Sequence, residues 1–217
     1  MPLQRLQQHL QQIYEVDVPH AVTDYLITDP ILANCLAGRD NGCLRQEHLL
    51  VRQEDACLEL SLYISQEIIE RLVARNPTKV LDETNLADFC IALEGISHFV
   101  YLVWNATYDR SVSLFELELQ AEIDKYITAV LLADHACDPV VHRHLHRRLF
   151  KTVAFSHELD AEEQRRYRTA NHYADRYCMH LQERFLRTHQ PEGMLRELRR
   201  YYRLPRLDKL RRIDSVR

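Results

Sequence analysis

The chain has 217 residues, of which 46% are hydrophobic and 28% are charged, and its formal net charge is −4. This length and composition are typical of a globular protein with a proper core. With only four glycines, the sequence contains no P-loop and no G-x-G-x-x-G motif, and it also lacks G-x-S-x-G and H-E-x-x-H. We therefore exclude kinases, Rossmann oxidoreductases, α/β-hydrolases and zincins.

The ends and the cysteines of the chain indicate where it resides. The first residues, MPLQRLQQHLQQIY, are polar and rich in glutamine, unlike a secretory signal peptide. The six cysteines include no Cys-x-x-Cys pair, as is usual for reduced thiols. The apolar segment 89–108 is long enough to span a bilayer, but Glu94 and His98 lie in its middle. We expect a soluble cytoplasmic protein without a cofactor and without membrane contact.

The first 80 residues mix helical and strand patterns. A first amphipathic helix is predicted over 4–14. Alternating apolar residues over 48–64, with a turn at Glu54-Asp55, predict a β-hairpin, which a third strand near 31–36 could extend. Helix returns over 65–75 and ends at Asn76-Pro77.

The remainder of the chain is predicted to be helical. Ser113-x-x-Glu116 and Asp160-x-x-Glu163 are capping-box signatures, and Asp138-Pro139 supplies an N-cap and a first-turn proline. The predicted helices cover 84–108, 113–134, 138–150, 160–188 and 191–204.

These elements predict a mainly α fold of the α+β class, a helical bundle with a small N-terminal antiparallel β-hairpin. We expect a single domain over 1–217. Within it, an α/β subdomain covers 1–80, the helical bundle covers 81–204 and a basic tail covers 205–217.

The segment 89–108 carries the most informative polar pattern in the chain. Its single formal charge is Glu94, and one helix face collects Glu94, His98, Tyr101 and Asn105. Gly95 lies beside this polar face, where a helix loses roughly 1 kcal/mol relative to alanine. A missing side chain there lets a neighbouring helix or a ligand approach.

A short connection joins this helix to the next, so the two should pack as an antiparallel hairpin. Facing residues then have numbers that sum to about 220. This register places His98 opposite Glu122, Glu94 near Lys125 or Tyr126, and Tyr101 near Glu118 or Leu119.

Three interpretations of the polar residues on these two helices remain open. In the first, they form a buried acid–base or metal centre, in which the catalytic candidates are His98, Glu94, Glu122, Glu118 and Tyr101. Alternatively it is a structural polar layer, in which the ion pairs His98–Glu122 and Glu94–Lys125 fix the register of the helices. In the third interpretation the polar face simply points to solvent. The sequence does not indicate which metal, if any, would bind.

Charge is divided unevenly along the chain. Residues 1–134 hold 9 basic and 21 acidic side chains, a net charge of −12, whereas residues 135–217 hold 19 and 11, a net charge of +8. Arginines interleave with tyrosines near the C-terminus, as in surfaces that contact phosphates. These arginines could equally pair with the acidic part of the same chain.

The first functional hypothesis is therefore an interaction or regulatory protein that acts through its basic C-terminal region. The expected contact residues are Arg199, Arg200, Arg203 and Tyr201. The partner would be another protein or an acidic molecule such as RNA, and the protein could form a homo-oligomer. The alternative is an enzyme or a ligand- or metal-binding protein that uses a buried Glu/His cluster between the 84–108 and 113–134 helices.

Overall fold

The computed structural model describes residues 1–38, 45–54, 57–133, 139–152 and 160–215. Over these residues the fold is mainly helical with a small mixed sheet, which confirms the predicted mainly α class. The helices are α1 (Pro2–Tyr14), α2 (Pro30–Leu36), α3 (Gln66–Ala74), α4 (Leu86–Ala106), α5 (Leu114–Leu132), α6 (Pro139–His146), α7 (Ala161–Leu181), α8 (Pro191–Tyr202) and α9 (Arg206–Ser215). The strands are β1 (Leu26–Ile27), β2 (Glu47–Glu54) and β3 (Cys57–Ile64).

The sheet has the order β1-β3-β2 and contains both kinds of pairing. Strands β2 and β3 pair antiparallel, with Glu47 opposite Ile64, so this pair lies where the hairpin is predicted. Strand β1 is parallel to β3, with Leu26 opposite Leu62. The β element is therefore a three-stranded mixed sheet and not an antiparallel hairpin alone.

The predicted strand over 31–36 is wrong, because this segment forms α2. Asp29 is the N-cap, and its carboxylate accepts a hydrogen bond from the Ile31 N–H at 2.8 Å. Pro30 occupies the first helical turn, where its fixed φ and missing N–H favour a helix. The short apolar run has no periodicity that separates strand from helix, whereas the Asp-Pro pair specifies a helix start.

Helices α4 and α5 lie at the centre of the fold and pack against each other. The predicted capping boxes at Ser113/Glu116 and Asp160/Glu163 are both formed. The predicted N-cap Asp138 lies outside the described residues. Among the described helices, α4 alone is long and apolar enough to cross a membrane, but 67% of its most apolar window is buried, as in the core helix of a soluble protein.

The segment expected as a basic tail is helical where the structure describes it. Helix α9 inserts Lys209 and Ile213 into the core, and both side chains are almost fully buried. Arg176 of α7 bonds Asp214 at 2.8 Å, and Arg212 bonds Glu197 of α8 at 2.7 Å. These contacts attach the end of the chain to α7 and α8.

Candidate functional site

Four side chains from three elements meet beside the middle of α4, and we call them the Glu–His centre: Glu47 of β2, Glu94 and His98 of α4, and Glu118 of α5. The imidazole of His98 lies between two carboxylates. Its Nδ1 is 3.7 Å from Oε1 of Glu47, and its Nε2 is 3.8 Å from Oε2 of Glu118. The His98 side chain is only 8% exposed, so a histidine with carboxylates on both sides is enclosed in the fold.

Gly95 explains how Glu47 reaches this position. A Cβ at residue 95 would lie 2.7 Å from Cδ1 of Leu62 and 2.8 Å from Oε1 of Glu47. Both distances are far below van der Waals contact, so a Cβ here would force the Leu62 and Glu47 side chains away from α4. The glycine on the polar face therefore admits a third element that the two-helix register does not contain.

The predicted pairing of Glu94 with Lys125 is confirmed. The ammonium group of Lys125 donates to Oε2 of Glu94 at 3.0 Å and to Oε1 of Glu122 at 2.6 Å. The predicted pairing of His98 with Glu122 is wrong, because Lys125 holds Glu122 within α5. Glu118, one turn earlier on the same face of α5, takes the place next to His98.

The hydroxyl of Tyr101, predicted to lie near Glu118 or Leu119, bonds a residue of another helix. The Tyr101 hydroxyl accepts a hydrogen bond from Nζ of Lys209 at 2.9 Å. The same ammonium group donates to Oε1 of Gln120 at 3.0 Å. Tyr101 therefore belongs to a different polar group, and Asn105 bonds the backbone carbonyl of Tyr101 within α4.

This second group is buried around Asp124, and we call it the Asp124 network. The carboxylate of Asp124 accepts hydrogen bonds from Tyr14, from Ser97 at 2.6 Å and from Gln120 at 2.8 Å. The Ser97–Asp124 bond joins α4 to α5 directly. Tyr14 and Lys209 come from the two ends of the chain, and no local pattern connects them to α5.

Burial and neighbouring charges shift the pKa values of the Glu–His centre in opposite directions. Burial alone would lower the pKa of His98, but Glu47 and Glu118 raise it to about 9. Burial raises the pKa of Glu118 to about 7, although His98 opposes the shift. Burial also acts to raise the pKa of Glu94, but the charge of Lys125 outweighs it and lowers that pKa. Without a ligand the imidazole is therefore positively charged at neutral pH.

Several polar atoms of the centre are buried without a hydrogen bond to any described residue. They are Nε2 of His98, Oε1 of Glu47 and Nε of Arg166, which lies 4.0 Å from Glu118. Buried polar atoms normally have partners, so the unpaired Nε2 of His98, which faces Glu118, is the atom at which a ligand would be expected. One donor atom each from Glu94, His98 and Glu118 lies within 4.8 Å of the other two. These three could hold a metal ion.

Sequence reasoning missed Glu47 and Arg166. Glu47 is the first residue of β2, and Arg166 lies in α7. Gly95 was the one signal that another element approaches α4 here. It did not indicate which element.

The four predicted contact residues of the C-terminal region have different surroundings in the structure. Tyr201 is buried and stacks on Tyr177 with ring centroids 4.2 Å apart, so it is a core residue. Arg199 forms an ion pair with Glu15 at 2.8 Å and bonds the carbonyl of Ile13. Arg203 donates to the carbonyls of Tyr14 and Glu15 at the end of α1. Two of the three arginines thus bind the acidic part of their own chain, and Arg200 is exposed.

No family model matches the chain, and no curated protein or solved structure is significantly similar to it.

Proposed function

We propose that this protein binds one divalent transition-metal ion in the Glu–His centre. The observation that carries the proposal is the group of donor atoms from Glu94, His98 and Glu118, all within 4.8 Å of one another, of which His98 and Glu118 are buried. The Nε2 atom of His98 has no hydrogen-bond partner in the described structure although it is buried. A metal ion would give this atom a partner.

The arrangement around His98 suits a metal ligand in one further respect. Metal-binding histidines usually donate their second N–H to a carboxylate or carbonyl, which fixes the ring and its tautomer. Nε2 faces Glu118, one of the three donors, while Nδ1 faces Glu47. Glu47 would therefore orient the imidazole, and Glu94, His98 and Glu118 would be the ligands.

The donor types restrict which metal fits. Carboxylates and imidazole suit Zn²⁺, Mn²⁺ and Fe²⁺, and no thiol is part of the set. Bonds of about 2.0–2.2 Å bring neighbouring donor atoms closer together than 4.8 Å, so the side chains must move inward when the ion binds. Lys125 bonds one oxygen of Glu94 and leaves the other for the metal.

Three protein ligands leave coordination positions open for water or a substrate. An open metal site lowers the pKa of bound water and supplies a nucleophile at neutral pH. The Glu94 side chain is the most exposed of the three at 24%, so solvent reaches the centre from its side. Such an enzyme would carry out metal-assisted hydrolysis, with Lys125 and Arg166 as neighbouring cations for an anionic substrate.

Metal stoichiometry tests the proposal. Chelator-treated protein would be titrated with Zn²⁺, Mn²⁺ and anaerobic Fe²⁺ by calorimetry, and bound metal would be counted by mass spectrometry. We expect one ion per chain and a rise in melting temperature, since an ion at 100 times its Kd adds about 2.7 kcal/mol.

The matched variants are E118Q and E122Q. Both glutamates lie on one face of α5 with similarly buried side chains, but only Glu118 is a proposed ligand, while Glu122 bonds Lys125. We expect E118Q and H98Q to lose metal binding and E122Q to keep it. The proposal would be contradicted if chelator-treated protein stays folded but takes up no stoichiometric metal. The structural polar layer would then be the remaining interpretation.

The interaction or regulatory function expected from the basic C-terminal region is a second proposal. The observation in its favour is that Arg200 is exposed and pairs with no other described residue. Binding to RNA or to a partner protein, lost in R200A, would test it; no binding at low salt would contradict its RNA version. Homo-oligomer formation and a cytoplasmic location likewise stay predictions.

A further inference from the structure

A second, separate cleft of about 740 Å³ opens at the other end of the α4–α5 hairpin. Its walls are the last turn of α4, the loop 109–111, the first turn of α5, and the segment 203–211. The volume is in the range of small-molecule sites, which runs from about 300 to 1,000 Å³. The Glu–His centre does not contribute to its lining.

Four arginines line this cleft, and the side chains of two of them form neither an ion pair nor a hydrogen bond with another described residue. Arg203 is engaged with the end of α1, and Arg211 pairs with Asp208 at 3.1 Å. Arg110 and Arg206 form no ion pair with another described residue, although Arg110 lies over the rings of Trp104 and Tyr108. Two guanidinium groups from different segments thus line one cleft without a counter-ion.

Two of the three carboxylates that line the cleft already have other partners. Glu116 accepts two hydrogen bonds from Ser113 in the capping box of α5, and Asp208 is held by Arg211. Tyr101 also lines the cleft, and its hydroxyl accepts a hydrogen bond from Lys209. The cleft therefore offers two guanidinium groups to an anion.

We propose that this cleft binds a small organic phosphate of about mononucleotide size, held by Arg110 and Arg206. Guanidinium groups match phosphate oxygens with paired hydrogen bonds, and two of them balance a phosphate dianion. Asp109 and Asp208 lie in the same cleft and would repel a run of backbone phosphates. A discrete ligand therefore fits the cleft better than a nucleic-acid strand.

The single tryptophan of the chain provides a readout. Trp104 lies 5.7 Å from the guanidinium carbon of Arg110, so a ligand that draws Arg110 away should change its fluorescence. The protein would be titrated with a nucleoside monophosphate, with inorganic phosphate and with single-stranded RNA of increasing length. Calorimetry on the same samples gives the affinity independently of the fluorescence.

We expect saturable 1:1 binding of the monophosphate and competition by inorganic phosphate. R110Q and R206Q should each weaken binding at least tenfold, because each removes charge-assisted hydrogen bonds. R187Q is the matched control and should not change the affinity, because Arg187 is exposed and lies outside the cleft. Arg206 is exposed and forms no ion pair with another described residue, so R206Q should keep the wild-type melting temperature.

Three results would overturn the proposal. One is the absence of monophosphate binding to folded wild-type protein. Another is an equal loss of affinity in R187Q and R206Q, which would indicate non-specific attraction. The third is RNA binding that strengthens with strand length while the monophosphate does not bind, which would make this region a nucleic-acid surface.

Discussion

Glu47 lies directly over Gly95, with its Oε1 atom 2.8 Å from where a Cβ on residue 95 would be. We expect G95A to destabilise the fold by up to about 2 kcal/mol, since overpacking costs about 1–3 kcal/mol and alanine regains only roughly 1 kcal/mol of helix propensity. Urea unfolding measures this change. The double variant G95A/E47A should recover part of the loss, because one of the two contacts is removed. A G95A protein more stable than wild type would show that β2 does not pack here.

The contribution of His98 to stability should decrease as pH rises. Its pKa of about 9 in the fold exceeds the ordinary value of 6.5, because Glu47 and Glu118 outweigh burial. A raised pKa gives stability that is fully present below pH 6.5 and is lost as pH rises through 9. In the presence of chelator, the advantage of wild type over H98Q should therefore shrink by up to about 3 kcal/mol between pH 6.5 and 9.

The control for this prediction is H172Q, because His172 is an exposed histidine of α7. Its unfolding free energy should follow wild type at every pH in the window. An H98Q difference that is constant or grows with pH would mean that His98 is not charged between its carboxylates.

The two-helix register predicted part of the Glu–His centre because it depends on α4 and α5 alone. Consecutive antiparallel helices restrict which residues can face each other, so Glu94 was placed beside Lys125 correctly. The same reasoning failed for His98, because Glu118 and Glu122 lie one turn apart on one face. A neighbouring lysine decides which of the two is available.

The other residues of the Glu–His centre and of the Asp124 network come from segments far away in the sequence. Glu47 comes from a strand, and Tyr14 and Lys209 come from segments about 200 residues apart. Only the packing of α1 and α9 on the central hairpin brings them to α5. Periodicity reports which face of an element is buried, not which element covers it.

Lys209 should produce the opposite pH dependence to His98. Burial lowers its pKa to about 7, although Glu116 and Asp124 oppose the shift. A lowered pKa gives stability that is present above pH 10.5 and is lost as pH falls through 7. The stability of wild type relative to K209M should therefore increase as pH rises from 7 towards 10. Urea unfolding at several pH values measures the difference, and a decrease over this window would show that Lys209 is charged in the fold.

Removing the hydroxyl group from each of two buried tyrosines should change the stability of the fold by different amounts. The Tyr14 hydroxyl donates to Asp124, whereas the Tyr201 hydroxyl has no hydrogen-bond partner among the described residues. Y14F should cost about 1–3 kcal/mol, because a buried carboxylate loses a donor. Y201F should be neutral or slightly stabilising, since it removes an unpaired polar atom. Equal losses from the two variants in thermal unfolding would contradict the Asp124 network.

Substitutions of Arg203 and Arg200 should have different effects on stability. Arg200 lies in the last turn of the basic helix α8, and Arg203 directly follows that helix. Arg203 donates to the carbonyls of Tyr14 and Glu15, which end α1, at 3.0 and 2.9 Å. A cation on the last carbonyls of a helix satisfies them and opposes the negative end of the helix dipole. R203A should therefore lower the unfolding free energy by about 1 kcal/mol, with a smaller effect at high salt. R200A should change it by less than about 0.5 kcal/mol, the usual range for surface positions. If both variants unfold like wild type in urea at low salt, Arg203 does not tie α1 to the C-terminal helices and its charge remains available for a partner.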